Sequence, residues 1–210
     1  SLKGNSDFDV QSENEAFKKI VSADNRVMAA VKGQEETQPF YVGTYQFAAG
    51  AGLYMIVYYQ KEDTIAWLET IMNSLGLSGI GGEKSSGLGH FTVDDVIFLD
   101  DVYSEGLEAL QKLLSVQQAD YYMTLSCCLP TEQELPKVLS QPAHYSLLKR
   151  SGFVASYDYA SQPMKKKTLY VFDSGSCFKQ KFCGDIYDIA RGGKHKVYRY
   201  AKSMFIGVKI

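Results

Sequence analysis

Cysteine and histidine are scarce in this chain, and their positions do not suit chemistry. The four cysteines, Cys127, Cys128, Cys177 and Cys183, form no CxxC pair, and the three histidines are scattered. That pattern excludes the usual zinc and redox spacings and leaves reduced, packed thiols and no metal or cofactor. Long apolar runs are missing too. The longest, Leu53 to Tyr59, falls far short of the roughly 20 residues that a membrane-spanning helix takes. No stretch has the layout of a signal peptide, and neither an internal repeat nor a low-complexity tract is visible. A cytoplasmic location with no membrane contact is therefore expected. The chain opens on Ser1 rather than methionine, as a fragment or tagged product would.

What is present is an ordinary globular composition, 45% hydrophobic and 22% charged over 210 residues, enough for one large domain or two small ones. The net charge of −2 hides an asymmetry. Residues 1–103 hold 7 basic and 15 acidic side chains, whereas 104–210 hold 15 and 9. Residues 165–210 alone carry 11 basic against 3 acidic. A basic C-terminal region on an acidic body suits nucleic acid at one face and a protein partner at another; a solvated charged surface is the plainer alternative.

Along the chain, residues 1–38 are polar with a single helix candidate, Glu13 to Ile20. Phe40 to Phe47 reads as a strand ending at a glycine-alanine turn. Gly52 to Tyr59 is apolar on both alternating faces and predicts a central strand covered on both sides. Ile65, Leu68, Ile71, Met72 and Leu75 mark one face of a helix starting at Asp63, with Gly76 placed to stop it. Phe91 to Leu99 predicts another strand, with Asp94-Asp95 as a bulge. Beyond a linker near 100–106, the pattern predicts a helix over 107–116, a strand over 121–129, and a short helix over 132–139 capped by Thr131. Further strands are expected over 144–154, 168–172, 177–182 and 197–209, with Ser174-Gly175-Ser176 as a turn. The fold class is α+β, with domains at 1–103 and 104–210.

The sharpest feature is Gly79 to Phe91, GIGGEKSSGLGHF, five glycines around a Lys-Ser-Ser. Glycine is costly to order, so the loop needs a reason. It is no P-loop: Glu83 precedes Lys84 where that motif requires glycine, and the loop follows a helix instead of opening one. The dinucleotide fingerprint fails for the same lack of a strand–turn–helix. Two readings stay level on composition. One is a loop whose amides, with Lys84, Ser85 and Ser86, approach a phosphodiester backbone closely. The other is a crossover that merely needs positive φ angles.

These thirteen residues resemble the glycine-rich loop of RAMP proteins, the repeat-associated subunits of CRISPR systems, and within them the fourth Csm subunit of type III-A effector complexes. Asn25-Arg26-Val27, the stretches Pro39 to Phe47 and Gly52 to Val57, and the closing stretch His195 to Lys202 are similar to the same family in the same order. The resemblance implies two ferredoxin-like (RRM-like) domains, the first incomplete at its N-terminus, in a chain covering the C-terminal two-thirds of a longer subunit. It implies no catalysis and no cofactor. The partners it implies are the 5′ handle of the crRNA, the large polymerase/cyclase-like Csm subunit, and a neighbouring RAMP backbone subunit. Carried over by position, Gly79, Gly81, Gly82, Lys84, Ser85, Ser86, Gly87, Gly89 and His90 would line the handle. The basic Lys194, His195, Lys196, Arg199 and Lys202 would add salt-sensitive backbone contacts. Lys165-Lys166-Lys167 either joins them or forms a solvated turn. His90 stands where the family often has arginine, Ala201 replaces a usual glycine, and no second arginine follows Arg26.

Two functions follow. The first is a non-catalytic RNA-binding scaffold subunit. The second is a RAMP-type endoribonuclease that processes precursor crRNA, for which His90 beside Lys84 is the local pair of the right types.

Overall fold

Asp9 starts the first helix by accepting a hydrogen bond from the Gln11 amide at 3.0 Å. A carboxylate suits this position because the first-turn amides have no helical acceptor. The helix, α1 (Val10–Ile20), ends on Lys18 and Lys19 at the negative end of its dipole. This computed structural model describes residues 9–30, 38–61, 63–81, 83–101, 105–156 and 158–209. The chain divides at Asp95/Val96 into two compact units, each taken by itself below.

In the first unit α1 runs into β1 (Val21–Ala30), which pairs antiparallel with β2 (Gln38–Phe47) from Val21↔Phe47 to Ala30↔Gln38. β2 contains the expected strand. β1 has no clear signal in the sequence, since Ser22, Asp24, Asn25 and Arg26 interrupt any apolar alternation. Gly50, at φ +77°, closes the turn after β2.

The next expectation fails. Gly52 to Tyr59 is not a strand: Leu53 and Tyr58 are each 79% exposed and Tyr54 88%. Its pattern suits a central strand, but a strand exists only where a neighbour takes its amides and carbonyls, and no described strand pairs with it. Phe91 to Phe98 is irregular as well, reaching a 3₁₀ turn at Leu99–Asp101. There the Thr92 hydroxyl donates to Asp94 at 3.0 Å, a local contact that needs no partner strand.

The helix between them, α2 (Asp63–Ser78), runs past its expected stop. Gly76 lies inside it and is buried, because a Cβ there would strike the Phe91 carbonyl. Gly79 takes the left-handed C′ place at φ +77°, its N–H donating to the Leu75 carbonyl at 2.7 Å. Among the described residues of this unit only Gly76 and Gly79 are buried.

The second unit holds the core. After α3 (Glu105–Ser115), β3 (Tyr121–Thr124) lies between β6 (Cys177–Phe178) and β9 (Phe205–Val208) in an antiparallel sheet. Gly207 lets Val116 press on this sheet where a Cβ would collide with it. Phe172, Phe178, Phe182 and Phe205 pack with Tyr122, Cys128 and Val138. Their rings meet edge-on, Phe178 to Phe182 at 5.3 Å and Phe182 to Phe205 at 5.1 Å, the offset geometry that aromatic quadrupoles favour. Two hairpin-like pairs complete the unit: β4 (Leu147–Arg150) with β5 (Leu169–Phe172), and β7 (Ile186–Asp188) with β8 (Tyr198–Tyr200).

The strands expected over 121–129, 144–154, 168–172 and 177–182 are present but shorter, whereas the one expected over 197–209 breaks at 201–204 into β8 and β9, which join different sheets. Thr131 and Glu134 form a capping box ahead of α4 (Leu135–Leu139). The result is a mixed α+β protein with small antiparallel sheets. Among the described residues no helix is long and apolar enough to cross a membrane.

Candidate nucleic-acid interface

The glycine loop projects from the end of α2. Its neck is tied by Ile80 N–H to the Gly89 carbonyl at 2.9 Å and by Phe91 N–H to the Gly76 carbonyl at 3.3 Å. At its tip Lys84–Ser86 makes one 3₁₀ turn, closed by the Gly87 amide on the Lys84 carbonyl at 3.1 Å. Gly79, Gly81, Gly87 and Gly89 all have φ between +77° and +99°, a region costly to any residue with a Cβ. Gly82 lies outside the described residues.

Two of these glycines are structural. A Cβ on Gly89 would overlap the Ile80 carbonyl, and one on Gly79 would come within 3.0 Å of the Leu88 carbonyl. Gly81 and Gly87 face open space. The amides of Lys84 and Ser85 meet no protein acceptor among the described residues, and the Lys84 side chain is exposed. Ser86 is already engaged: its hydroxyl donates to Glu83 at 3.3 Å. The tip thus offers two amides, a cation and the Ser85 hydroxyl, with the Glu83 carboxylate at one side. His90 is exposed, near the neck beside Gly79.

The basic residues near the C-terminus belong to the second unit. Lys194, His195 and Lys196 sit at the tip between β7 and β8, Arg199 lies within β8 opposite Tyr187, and Lys202 is exposed just beyond. The structure therefore brings Lys194 and Lys196 together and keeps Arg199 and Lys202 on the adjoining strand. Two residues without a motif hold this tip. Asp188 accepts from the Ala190 amide at 3.0 Å and the Val197 amide at 3.2 Å. Those bonds, and then the charges of Lys196 and Lys167, hold its carboxyl below the usual range. Tyr159, 1% exposed, fills the space under Gly193, where a Cβ would strike its ring. Its hydroxyl accepts from the Arg191 amide at 2.7 Å and its carbonyl from the Lys194 amide at 2.9 Å. His195 is spent on structure, bridging the Ser156 hydroxyl at 2.9 Å and the Lys196 carbonyl at 2.8 Å.

The other end of this hairpin is pinned by Glu134. Its carboxylate accepts from the amides of Thr131 (2.9 Å), Cys183 (2.8 Å) and Gly184 (3.2 Å) and from the Thr131 hydroxyl (3.0 Å). Gly184 is required there, since a Cβ would lie 2.5 Å from the Ala201 carbonyl. The Thr131–Glu134 spacing marks the capping box, but no local signal marks the Cys183 and Gly184 amides, which lie 49 and 50 residues away. Among the described residues no group of three or more His, Cys, Asp or Glu is placed to hold a metal ion.

Residues 117–208 match the family described as the CRISPR Csm4 C-terminal domain. The chain is 36% identical over 176 residues to a protein of Mycobacterium tuberculosis (strain CDC 1551 / Oshkosh) named CRISPR system Cms protein Csm4, covering 84% of this chain and 53% of that one. A Streptococcus thermophilus protein of the same name is 33% identical over 172 residues, 81% of this chain and 52% of its own length. The chain thus spans about half the length of the curated relatives it matches. In fold it is similar to a chain from a crystal structure of the Csm3-Csm4 subcomplex in the type III-A CRISPR-Cas interference complex, with a TM-score of 0.50 and 16% identity over 94% of this chain and 60% of that one.

Proposed function

Because the chain belongs to the Csm4 family, we propose that it is a non-catalytic, RNA-holding subunit of a type III-A CRISPR complex. The observation that carries this reading is the tip of the glycine loop, where the Lys84 and Ser85 amides and the Lys84 ammonium meet no partner among the described residues. Amides and a cation on a loop with no bulky side chains suit a phosphodiester backbone. On this reading the loop lies along the 5′ handle of the crRNA, and the basic tip of the β7–β8 hairpin adds further phosphate contacts. A Csm3-type RAMP subunit is the neighbour along the backbone, and the large polymerase/cyclase-like subunit docks at the end that carries the handle. The whole subunit comprises two ferredoxin-like domains.

The test uses the full-length subunit assembled with its partners and guide RNA. Sequencing the retained RNA should return fragments sharing a repeat-derived 5′ end. Binding should weaken with salt, with a slope of about 0.7 per phosphate contacted on a single strand. Lys84→Ala should lower both affinity and slope. Random RNA or none on the purified complex refutes the reading. Site-specific cutting of precursor RNA by the subunit, lost in His90→Ala, would replace it with the endoribonuclease reading.

A further inference from the structure

A cleft of about 280 Å³ in the second unit gathers cations from three separate segments. Lys149 comes from β4, Lys165 and Lys166 from the stretch before β5, and Arg191 from the chain after β7. The backbone fixes this convergence. Phe153 bridges Lys165 in antiparallel fashion, the Lys166 amide donates to the Gly152 carbonyl at 2.8 Å, and the Arg191 amide is held by the Tyr159 hydroxyl. No carboxylate lines the cleft, and the ion pair found among the described residues joins Lys112 to Glu108 elsewhere. Four basic residues therefore border one cleft that no carboxylate lines, a setting that favours an anion.

The cleft also holds Phe153, a large aromatic side chain 54% exposed, with the Lys165 ammonium 5.7 Å from its ring centre. Ser151 and Thr168 line the same space. Cations and hydroxyls around an exposed ring are the means of binding single-stranded nucleic acid: charge tracks the backbone and the ring stacks a base. An acidic peptide would use the cations and leave the ring without a role.

We infer that this cleft seats one nucleotide of single-stranded RNA, its phosphate on Lys149, Lys165, Lys166 and Arg191 and its base on Phe153. The inference rests on the RNA-holding reading and adds a second contact in a different unit.

The test uses the full-length subunit and a fluorescein-labelled uridine oligomer carrying a photoactivatable 4-thiouridine. The crosslinked peptide should contain Phe153. Replacing Lys149, Lys165, Lys166 and Arg191 together by alanine should weaken binding at least about tenfold and flatten the salt dependence by about 0.7 in slope, the value for one phosphate on a single strand. The milder pair Lys165→Gln and Lys166→Gln should flatten it by about half as much and serves if the full set unfolds. Phe153→Ala should weaken binding about 5- to 150-fold with the slope unchanged, while Phe153→Trp should retain it. An unchanged slope in the lysine variants, or a neutral Phe153→Ala, overturns the inference. So does polyglutamate bound as tightly as RNA and insensitive to Phe153→Ala. If Lys84→Ala weakens RNA binding while the cleft variants do not, the cleft fails and the RNA-holding reading stands. If neither set of variants affects it, both fail.

Discussion

Glu134 gives the most direct access to how the second unit is held together. Replacing it with alanine removes four hydrogen bonds at once, three from backbone amides and one from a hydroxyl. A hydrogen bond to a charged group contributes about 1.5–3 kcal/mol net, so simple addition would give roughly 6–12 kcal/mol. That sum is too large, because the site is only part-buried and water can reach some of the released donors. A loss of about 2–4 kcal/mol is expected, or a drop in Tm of roughly 5–15 °C for a chain of this size. Glu134→Gln should cost less, since one oxygen still accepts while the new amide group faces donors.

The pH dependence makes the prediction sharper. Burial alone would raise the Glu134 pKa, but the bonds from Thr131, Cys183 and Gly184 outweigh it and hold the carboxyl below its ordinary 4.5. A group depressed on folding stabilises fully above its unfolded value, and the contribution disappears as pH falls through the lower folded value. Wild type and Glu134→Gln should therefore differ most near neutral pH and converge below about pH 4.5. Thermal melts from pH 7 to pH 3, with circular dichroism as readout, measure this. A gap that stays constant to pH 3, or a Glu134→Ala variant melting within about 2 °C of wild type, would refute the argument.

Four further outcomes follow from particular contacts. Gly89→Ala should disrupt the loop neck far more than Gly87→Ala, because the first adds an overlap with the Ile80 carbonyl and the second only the left-handed strain of about 1–2 kcal/mol; equal protease sensitivity at the loop would contradict this. Asp188→Ala should speed hydrogen exchange at Ala190 and Val197 while leaving β3 protected, and the wild type should show the same loosening only as pH falls through the depressed Asp188 pKa. In the isolated chain, amides of Leu53 to Tyr58 should exchange fastest and those of Tyr122, Thr124 and Ile206 slowest, as read by mass spectrometry. Iodoacetamide should label the exposed Cys183 first and Cys128 last, since burial both hides the Cys128 thiol and pushes its pKa up; early modification of Cys128 would mean that the core opens.

Local chemistry carried much of the fold into the sequence. Helical periodicity located α2 and α3, and Thr131 announced its cap, because these depend on residues a few positions apart. The strands over 52–59 and 91–99 were misread for the converse reason. Alternating apolar residues say that a segment would tolerate a buried sheet position, not that a neighbour is there to pair with it. The buried aromatic cluster, by contrast, has its partners within the second unit, and there each expected strand is at least partly formed. The site divides in the same way. Charge counts pointed to the basic C-terminal region, but Lys149 and Arg191 join Lys165 and Lys166 only through contacts between segments distant in sequence, Phe153 with Lys165 and Tyr159 with Arg191.

The glycine loop itself could not be resolved by composition, and its geometry shows why. Its glycines fall into two sets. Gly79 and Gly89 sit where a Cβ would meet a carbonyl, and they close the neck whatever the loop binds. Gly81 and Gly87 need their positive φ but touch nothing, so their lack of a side chain keeps the tip open. Ser86 is satisfied by Glu83, and His90 lies at the neck instead of the tip. What remains accessible to a phosphate is the pair of amides at Lys84 and Ser85, the Lys84 ammonium and the Ser85 hydroxyl. A Glu83→Gln substitution separates the two roles. Removing that carboxylate takes a like charge away from any bound phosphate and should tighten RNA binding by a few-fold, most visibly at low salt. It also weakens the contact to Ser86, so a purely structural loop would instead become more sensitive to protease with no gain in affinity.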